Sequence, residues 1–164
     1  MTGVKAVRKD MTIFLGVLRA VYWFDDALQE NLEAAGVGRL TRAQSLVIAN
    51  VAGGEARAAK IARNLGVSRQ AISQVLMELE RQGYVAVKTD PHNRRARIIR
   101  LSTSFEKHGE TCARIFRGLE KELAARIGKP LVESLREAFC TDWGPPPRLT
   151  GKDLQGRRKR KASS

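Results

Sequence analysis

Histidine and cysteine are scarce in this chain of 164 residues, with two of each. They offer no metal-ligand spacing, and the sequence has neither a Gly-rich phosphate loop nor a nucleophile motif. Enzymatic chemistry, a bound metal and a cofactor are therefore not expected. Long hydrophobic runs are missing too, so no segment is long enough to span a bilayer. The stretch MTIFLGVLRAVYWF follows Lys5, Arg8 and Lys9 in the manner of an export signal. Arg19 interrupts it, however, and Asp25 and Asp26 follow with no small-residue cleavage site. A buried amphipathic helix fits better. The expected compartment is then the reducing cytoplasm, with Cys112 and Cys140 as free thiols filling core space. Acidic residues are the third shortage, 17 against 30 Lys and Arg, for a net charge of +13. Residues 145–164 hold Arg148, Lys152, Arg157, Arg158, Lys159, Arg160 and Lys161 against Asp153, a net +6 that leaves +7 for the rest. The basicity is thus not confined to a tail, and it points to a polyanionic partner, nucleic acid before membrane.

At 43 % hydrophobic residues the chain can bury the core of one domain. Phe14, Leu18, Val21, Leu28 and Leu32 recur at helical spacing, predicting a long first helix over about 11–35 that Gly36 and Gly38 end. Thr41 and Gln44 have capping-box spacing and open a second helix, about 42–52, closed by Gly53 and Gly54. A third, about 57–65, stops at Gly66. Ser68 is placed to cap a fourth, which runs to about Gln82. YVAVK, the turn cluster TDPHN and RRARIIRLS read as a two-stranded hairpin. Thr103 and Glu106 suggest a second capping box before a helix of about 104–127. Pro130 opens a last short helix carrying Leu131, Leu135 and Phe139. The surplus of apolar surface on the first helix calls for a partner, met in part by the last helices and in part by a second copy of the chain.

The stretch KIARNLGVSRQAISQVLMELERQGYV, residues 60–85, carries the most specific pattern. A helix-turn-helix needs a small residue where its helices cross, here Ala62. It needs a left-handed turn residue four later, Gly66, and an apolar plug six after that, Ile72. Ile61, Leu65, Val67, Val75 and Leu76 occupy the other inward positions. The outward positions hold Ser68, Arg69, Gln70, Ser73 and Gln74, and residues 68–77 contain no acid. An ordinary solvated face would mix Glu with Lys. An α-helix fits the major groove of B-DNA, where Arg grips guanine at two points and Gln pairs likewise with adenine. Arg94, Arg95, Arg97 and Arg100 fall within seven residues on the hairpin, where long arginines can enter a minor groove. One of them is expected to be structural, paired with Asp90 or a Glu.

On IARNLGVSRQAISQVLMELERQGYV and the hairpin DPHNRRARIIRLS, the chain resembles the MarR family of bacterial winged-helix repressors over about residues 11–140. The family's usual wing reads Asp-Pro-x-Asp-Arg-Arg-Ala. Asp90, Pro91, Arg94, Arg95 and Ala96 match it, and Asn93 replaces the second acid, which usually orients the wing arginine. The family's Leu-Thr-x-x-Gly after the wing is here Leu101-Ser102, with the next glycine at Gly109. The resemblance implies a mainly α fold with a small β-hairpin wing: a winged helix-turn-helix plus an intertwined helical dimerisation region. The corresponding division is a flexible basic N-terminus (1–10), an N-terminal dimerisation helix (11–40), the DNA-binding domain (41–102), C-terminal dimerisation helices (103–141) and a disordered basic tail (142–164). It further implies a homodimeric repressor of double-stranded DNA at a pseudo-palindromic operator, released by a small aromatic or phenolic acid. Arg19, Tyr22, Trp23 and His108 are candidate effector ligands. Their plainer readings are dimer-core packing for Tyr22 and Trp23, a pairing of Arg19 with Asp26 or Glu30, and an ordinary satisfied histidine. A non-specific nucleoid-type DNA binder, an activator of the same fold and a redox sensor are the competing readings.

Overall fold

Among the described residues, six α-helices and one β-hairpin follow one another along the chain. The computed structural model describes residues 11–90 and 93–151, and for 93–96, 106 and 107 the backbone alone. The order is α1 (Ile13–Ala34), α2 (Arg42–Ala52), α3 (Ala58–Leu65), α4 (Arg69–Arg81), β1 (Val85–Asp90), β2 (Asn93–Leu101), a 3-10 turn (Thr103–Phe105), α5 (Glu106–Ile127) and α6 (Lys129–Cys140). The chain forms two compact units, Met1–Leu123 and Ala124–Ser164. No helix among the described residues is long and apolar enough to cross a membrane.

Local chemistry sets most of the boundaries. Thr41 Oγ1 accepts from the Gln44 amide at 3.2 Å, and Gln44 Oε1 accepts from the Thr41 amide at 2.8 Å, a reciprocal box that starts α2. Gly66 ends α3 at φ 65°, a left-handed conformation that a side chain would strain, and this lets the Val67 amide reach back to Ala62 O at 3.1 Å. Gly128 and Pro130 open α6. The start of α5 differs from the sequence expectation. Ser102, not Thr103, supplies the cap: its Oγ accepts from the Phe105 amide at 3.1 Å and also donates to Gly83 O. Thr103 enters a 3-10 turn instead. The other half of the expected box, the Glu106 side chain, lies outside the described residues.

The core of the first unit joins Leu28 and Leu32 of α1, Val47 and Ile48 of α2, Ile61 and Ala62 of α3, Ile72, Leu76 and Leu79 of α4, Val85, Ile99 and Phe105. Each helix contributes one face at a spacing of three or four residues, which is why the periodicity was readable. Two assignments need correction. Val67 is 44 % exposed, because the left-handed Gly66 turns the chain outward before α4 begins. Cys140 is exposed and fills no core space, whereas Cys112 packs against the core half-buried; both are free thiols. The N-terminal half of α1 is uncovered, with Ile13 at 81 % and Phe14 at 73 % exposed.

The hairpin pairs Val85 with Leu101 through to Thr89 with Arg97, and a register shift follows between Thr89 and Asp90. It has a neighbour the sequence did not announce. The Ile99 amide donates to Ala56 O at 2.8 Å, and Arg57 bridges to Ile98, so the α2–α3 loop lies along the outer edge of β2. After α6, Trp143 Nε1 donates to Ala138 O at 2.8 Å, so the chain stays attached to α6 beyond Asp142. Residues 1–10 and 152–164, where the basic N-terminus and most of the tail were expected, lie outside the described residues.

Burial ranks the consequences of truncation. Leu79→Ala, at a fully buried position, should lower stability by about 2–5 kcal/mol in urea unfolding. Val67→Ala should cost less than about 1 kcal/mol, as a half-exposed side chain leaves no cavity. Equal losses at the two positions would contradict the packing described.

Candidate nucleic-acid interface

Arg69, Gln70, Ser73 and Gln74 stand together on the first two turns of α4, all exposed. The opposite face of the same helix anchors them through Ile72, Leu76 and Leu79. Two of the five outward residues have backbone tasks. Ser68 Oγ accepts from the Ala71 amide at 3.1 Å and is the N-cap of α4. Ser73 Oγ donates to Arg69 O at 2.9 Å, one turn back. Among the described residues nothing engages the Arg69, Gln70 or Gln74 side chains, which keep their full donor and acceptor sets. The surface is thus one guanidinium and two carboxamides on a rigid helix, at an end where free backbone amides favour an anion.

Further cations stand on the elements that precede and follow α4 in the chain. Lys60 and Arg63 are exposed on α3, and Lys88, Arg97 and Arg100 on the hairpin. The α3 pair escaped the sequence reading, since Lys and Arg on a short helix look like any solvated face until the fold sets them beside α4. Asp90 is buried and accepts from Arg57 Nη2 at 3.3 Å. This structural partner comes from outside the hairpin. Arg97 and Arg100 have no carboxylate partner among the described residues, and the side chains of Arg94 and Arg95 lie outside them, so the expected wing pairing is not decided there.

The winged arrangement has known counterparts. Residues 40–96 match the family model described as MarR family. The chain has the winged-helix fold of the MarR structures. Its fold follows wild-type MarR from E. coli in the apo form with a TM-score of 0.61 at 20 % identity, over 80 % of this chain and 96 % of that one. It is similar to the transcriptional regulator PA4135 with a TM-score of 0.64 at 22 % identity, over 79 % and 93 % of the two chains. A mutant of S. aureus MepR bound to an oligodeoxyribonucleotide matches with a TM-score of 0.52 at 19 % identity, over 79 % and 94 %. Among curated proteins no match is found.

Each of the four candidate effector residues has its own neighbours. Arg19 donates to Met11 Sδ at 3.4 Å, a weak acceptor, rather than to Asp26 or Glu30. Asp26 is held instead by Arg42, which also bonds Asp25 at 2.8 Å and lies over the Tyr22 ring at 4.6 Å. Trp23 meets Phe24 edge-on at 4.9 Å, and Phe24 faces Phe116. His108 packs with Tyr84 and Phe105, ring centroids 5.4 and 6.3 Å away. An open groove of about 520 Å³ is lined by Asn50, Gly53, Gly54, Glu55 and Asn64, and by none of these four. Burial pushes the Cys112 thiol up, so the reactive thiolate is disfavoured there. Among the described residues no three His, Cys, Asp or Glu side chains cluster as a metal site requires.

The cap and the reading face can be separated by measurement. Ser68→Ala should cost about 1 kcal/mol in thermal unfolding, the usual worth of an N-cap. Gln70→Ala should change stability by less than about 0.5 kcal/mol. An unaltered melting temperature for Ser68→Ala would remove the capping role.

Proposed function

We propose that the chain is a sequence-specific DNA-binding transcriptional regulator. In this reading it is a homodimeric repressor of a pseudo-palindromic operator, released by a small aromatic or phenolic acid. The single observation that carries the reading is the unengaged Arg69, Gln70 and Gln74 on the acid-free outer face of a capped, core-anchored helix. Arg69 is suited to guanine and Gln70 or Gln74 to adenine in the major groove, each good two-point contact being worth about 1–3 kcal/mol of discrimination. Ser68 retains its hydroxyl proton to donate to a phosphate, and Ser73 retains lone pairs to accept from a base amino group. Arg97, with Arg94 and Arg95 on the same strand, is assigned to the minor groove, and Lys60 and Arg63 to phosphate. That a MepR of the same fold has been captured on an oligodeoxyribonucleotide supports the assignment.

Dimerisation is supported by the uncovered apolar side chains of α1, Ile13 and Phe14, and of α6, Leu131 and Phe139. Two copies would have to hold their α4 helices about 34–36 Å apart to meet successive major grooves. An effector that prefers another spacing weakens DNA binding by its differential affinity for the two states. Arg19 is the cation assigned to an acidic effector, since it is spent on a thioether and not on a carboxylate. Residence in the cytoplasm belongs to the same reading. A redox sensor is disfavoured by the half-buried, thiol-favouring setting of Cys112. A nucleoid-type binder would share the charge without needing the Arg and Gln face.

Competition between a selected duplex and random DNA at fixed salt tests the proposal. The wild-type protein should prefer its site by at least about a thousandfold. Arg69→Ala or Gln74→Ala should relax preference at particular base pairs at a cost of about 1–3 kcal/mol. Arg97→Ala should weaken all sequences alike and reduce the salt slope by about one. Identical effects of both kinds of change on specific and random DNA would refute this division of labour. Arg19→Ala should abolish release by an acidic effector at unchanged DNA affinity, and an unaltered release curve would take Arg19 off the list.

A further inference from the structure

Arg57 stands at the N-cap position of α3 yet forms no side-chain cap. Its Nη2 reaches instead to Asp90 Oδ2 at 3.3 Å, 33 residues further along the chain. The two ends of this pair are unlike: the Asp90 side chain is 4 % exposed and that of Arg57 63 %. We propose that Arg57 is a positioning residue for the wing, a tether that fixes where the hairpin presents its arginines; the inference rests on the DNA-binding reading above.

Three observations carry it. The first is the direction of Asp90. Simple alternation from the buried Val85 would turn Thr89 inward and Asp90 outward. The register shift between Thr89 and Asp90 reverses this, leaving Thr89 exposed and Asp90 buried. A bulge that re-aims a carboxylate into the interior needs a partner there, because a buried charge without one is costly. Arg57 supplies such a partner. The second observation is the path of the tether. The backbone of Ala56 and Arg57 is bound to β2 at Ile98 and Ile99. Arg57 therefore starts on the outer edge of β2 and ends on β1, so a single side chain spans both strands. The third is the weakness of the hairpin alone. A two-stranded ribbon is marginal in water unless something holds it. At its base, Glu80 of α4 accepts from the Val87 amide at 3.0 Å. Near its far end the Arg57–Asp90 pair does the equivalent, and Arg97, paired with Thr89, lies between these attachments. With both in place the ribbon cannot swing about its base.

Because Arg57 is itself exposed, a direct phosphate contact is the competing explanation, and a double-mutant cycle separates the two. The probe is a duplex of about 30 bp, roughly three helical turns, recovered from a random library with the full-length wild-type protein. Arg57→Ala should raise its Kd about fivefold, the upper range for a partly exposed ion pair. Arg97→Ala should also weaken binding, but the double variant should bind no worse than the weaker single one, since a mispositioned wing has already lost what Arg97 contributes. Arg57→Lys should recover part of the loss. Amide hydrogen exchange on the free protein should quicken in residues 85–101 of Arg57→Ala and stay unchanged in α4. Multiplying effects of the two substitutions would overturn the proposal in favour of a direct phosphate contact. So would an unchanged Kd, or exchange that quickens throughout the chain. A wild-type protein that enriches no duplex sinks the DNA-binding reading first, and is seen before any variant is made.

Discussion

The close crossing of α3 and α4 is the constraint on which the rest depends. Ala62 is almost fully buried, Gly66 takes a left-handed turn, and Ile72 fills the angle between the helices. Ala62 and Ile72 cannot grow without moving α4, because interiors packed to crystal density transmit an added methylene as a displacement, while Gly66 is held to glycine by its φ of 65° and not by crowding. The outward side chains of α4 are only as well placed as its backbone. A tight, apolar crossing on one face is therefore what allows a polar, unengaged face on the other to be presented in a fixed orientation. The Ser68 cap completes this by fixing the first turn, where fraying would otherwise blur Arg69 and Gln70.

A second junction, of opposite chemistry, joins α1 to α2. Gln29 is buried, donates to Ser45 Oγ at 2.9 Å and accepts from the Leu40 amide at 2.7 Å. One turn earlier Asp25 and Asp26 grip Arg42, whose guanidinium lies over Tyr22. The hydrogen bond that Arg42 donates to Asp25, with the field of both aspartates, raises the Arg42 pKa further, so this cation stays charged at any physiological pH. Buried hydrogen bonds add directional constraint to the packing of Leu28 and Leu32, since each has one good geometry. The direction in which α1 leaves the head is thus set by polar groups, and the exposed apolar half of α1 is aimed by the same groups.

How much of this was legible follows from how local each signal is. The helices, their caps at Thr41 and Ser68 and the turn at Gly66 are written within four or five residues of one another, and they stand where the sequence placed them. The helix-turn-helix spacing was legible for the same reason. Gln29 could not be found, because a lone Gln in an amphipathic stripe looks like a solvent-facing residue until Leu40 and Ser45 fold over it. Nor could the Arg57–Asp90 pair, whose partners lie 33 residues apart and meet only after a bulge inverts the strand pattern. The shift from Thr103 to Ser102 as cap has a tertiary cause: Gly83 O lies within reach of the Ser102 and Ser104 hydroxyls and draws that turn one residue forward. The neighbours of Tyr22 and His108, Arg42 over the Tyr22 ring and Tyr84 beside His108, come from elsewhere in the chain and are not written next to them in the sequence.

The distribution of charge bears on how the proposed recognition would work. The proposed reading face of α4 holds one cation and two neutral amides, whereas Lys60, Arg63, Lys88, Arg97 and Arg100 stand on α3 and the hairpin. Amides discriminate between bases but attract no polyanion from a distance; exposed lysines and arginines do the reverse. Separating the two lets affinity be tuned by salt and surface charge without altering base preference. It also sets a limit. At the low end of about 1 kcal/mol for each contact, the three side chains proposed to read bases give one head only modest selectivity. Doubling the head through a symmetric pair squares that ratio if the spacing is held. A chain with this recognition surface therefore gains most from the exposed apolar face on α1, since pairing through it would convert a weak reader into a selective one.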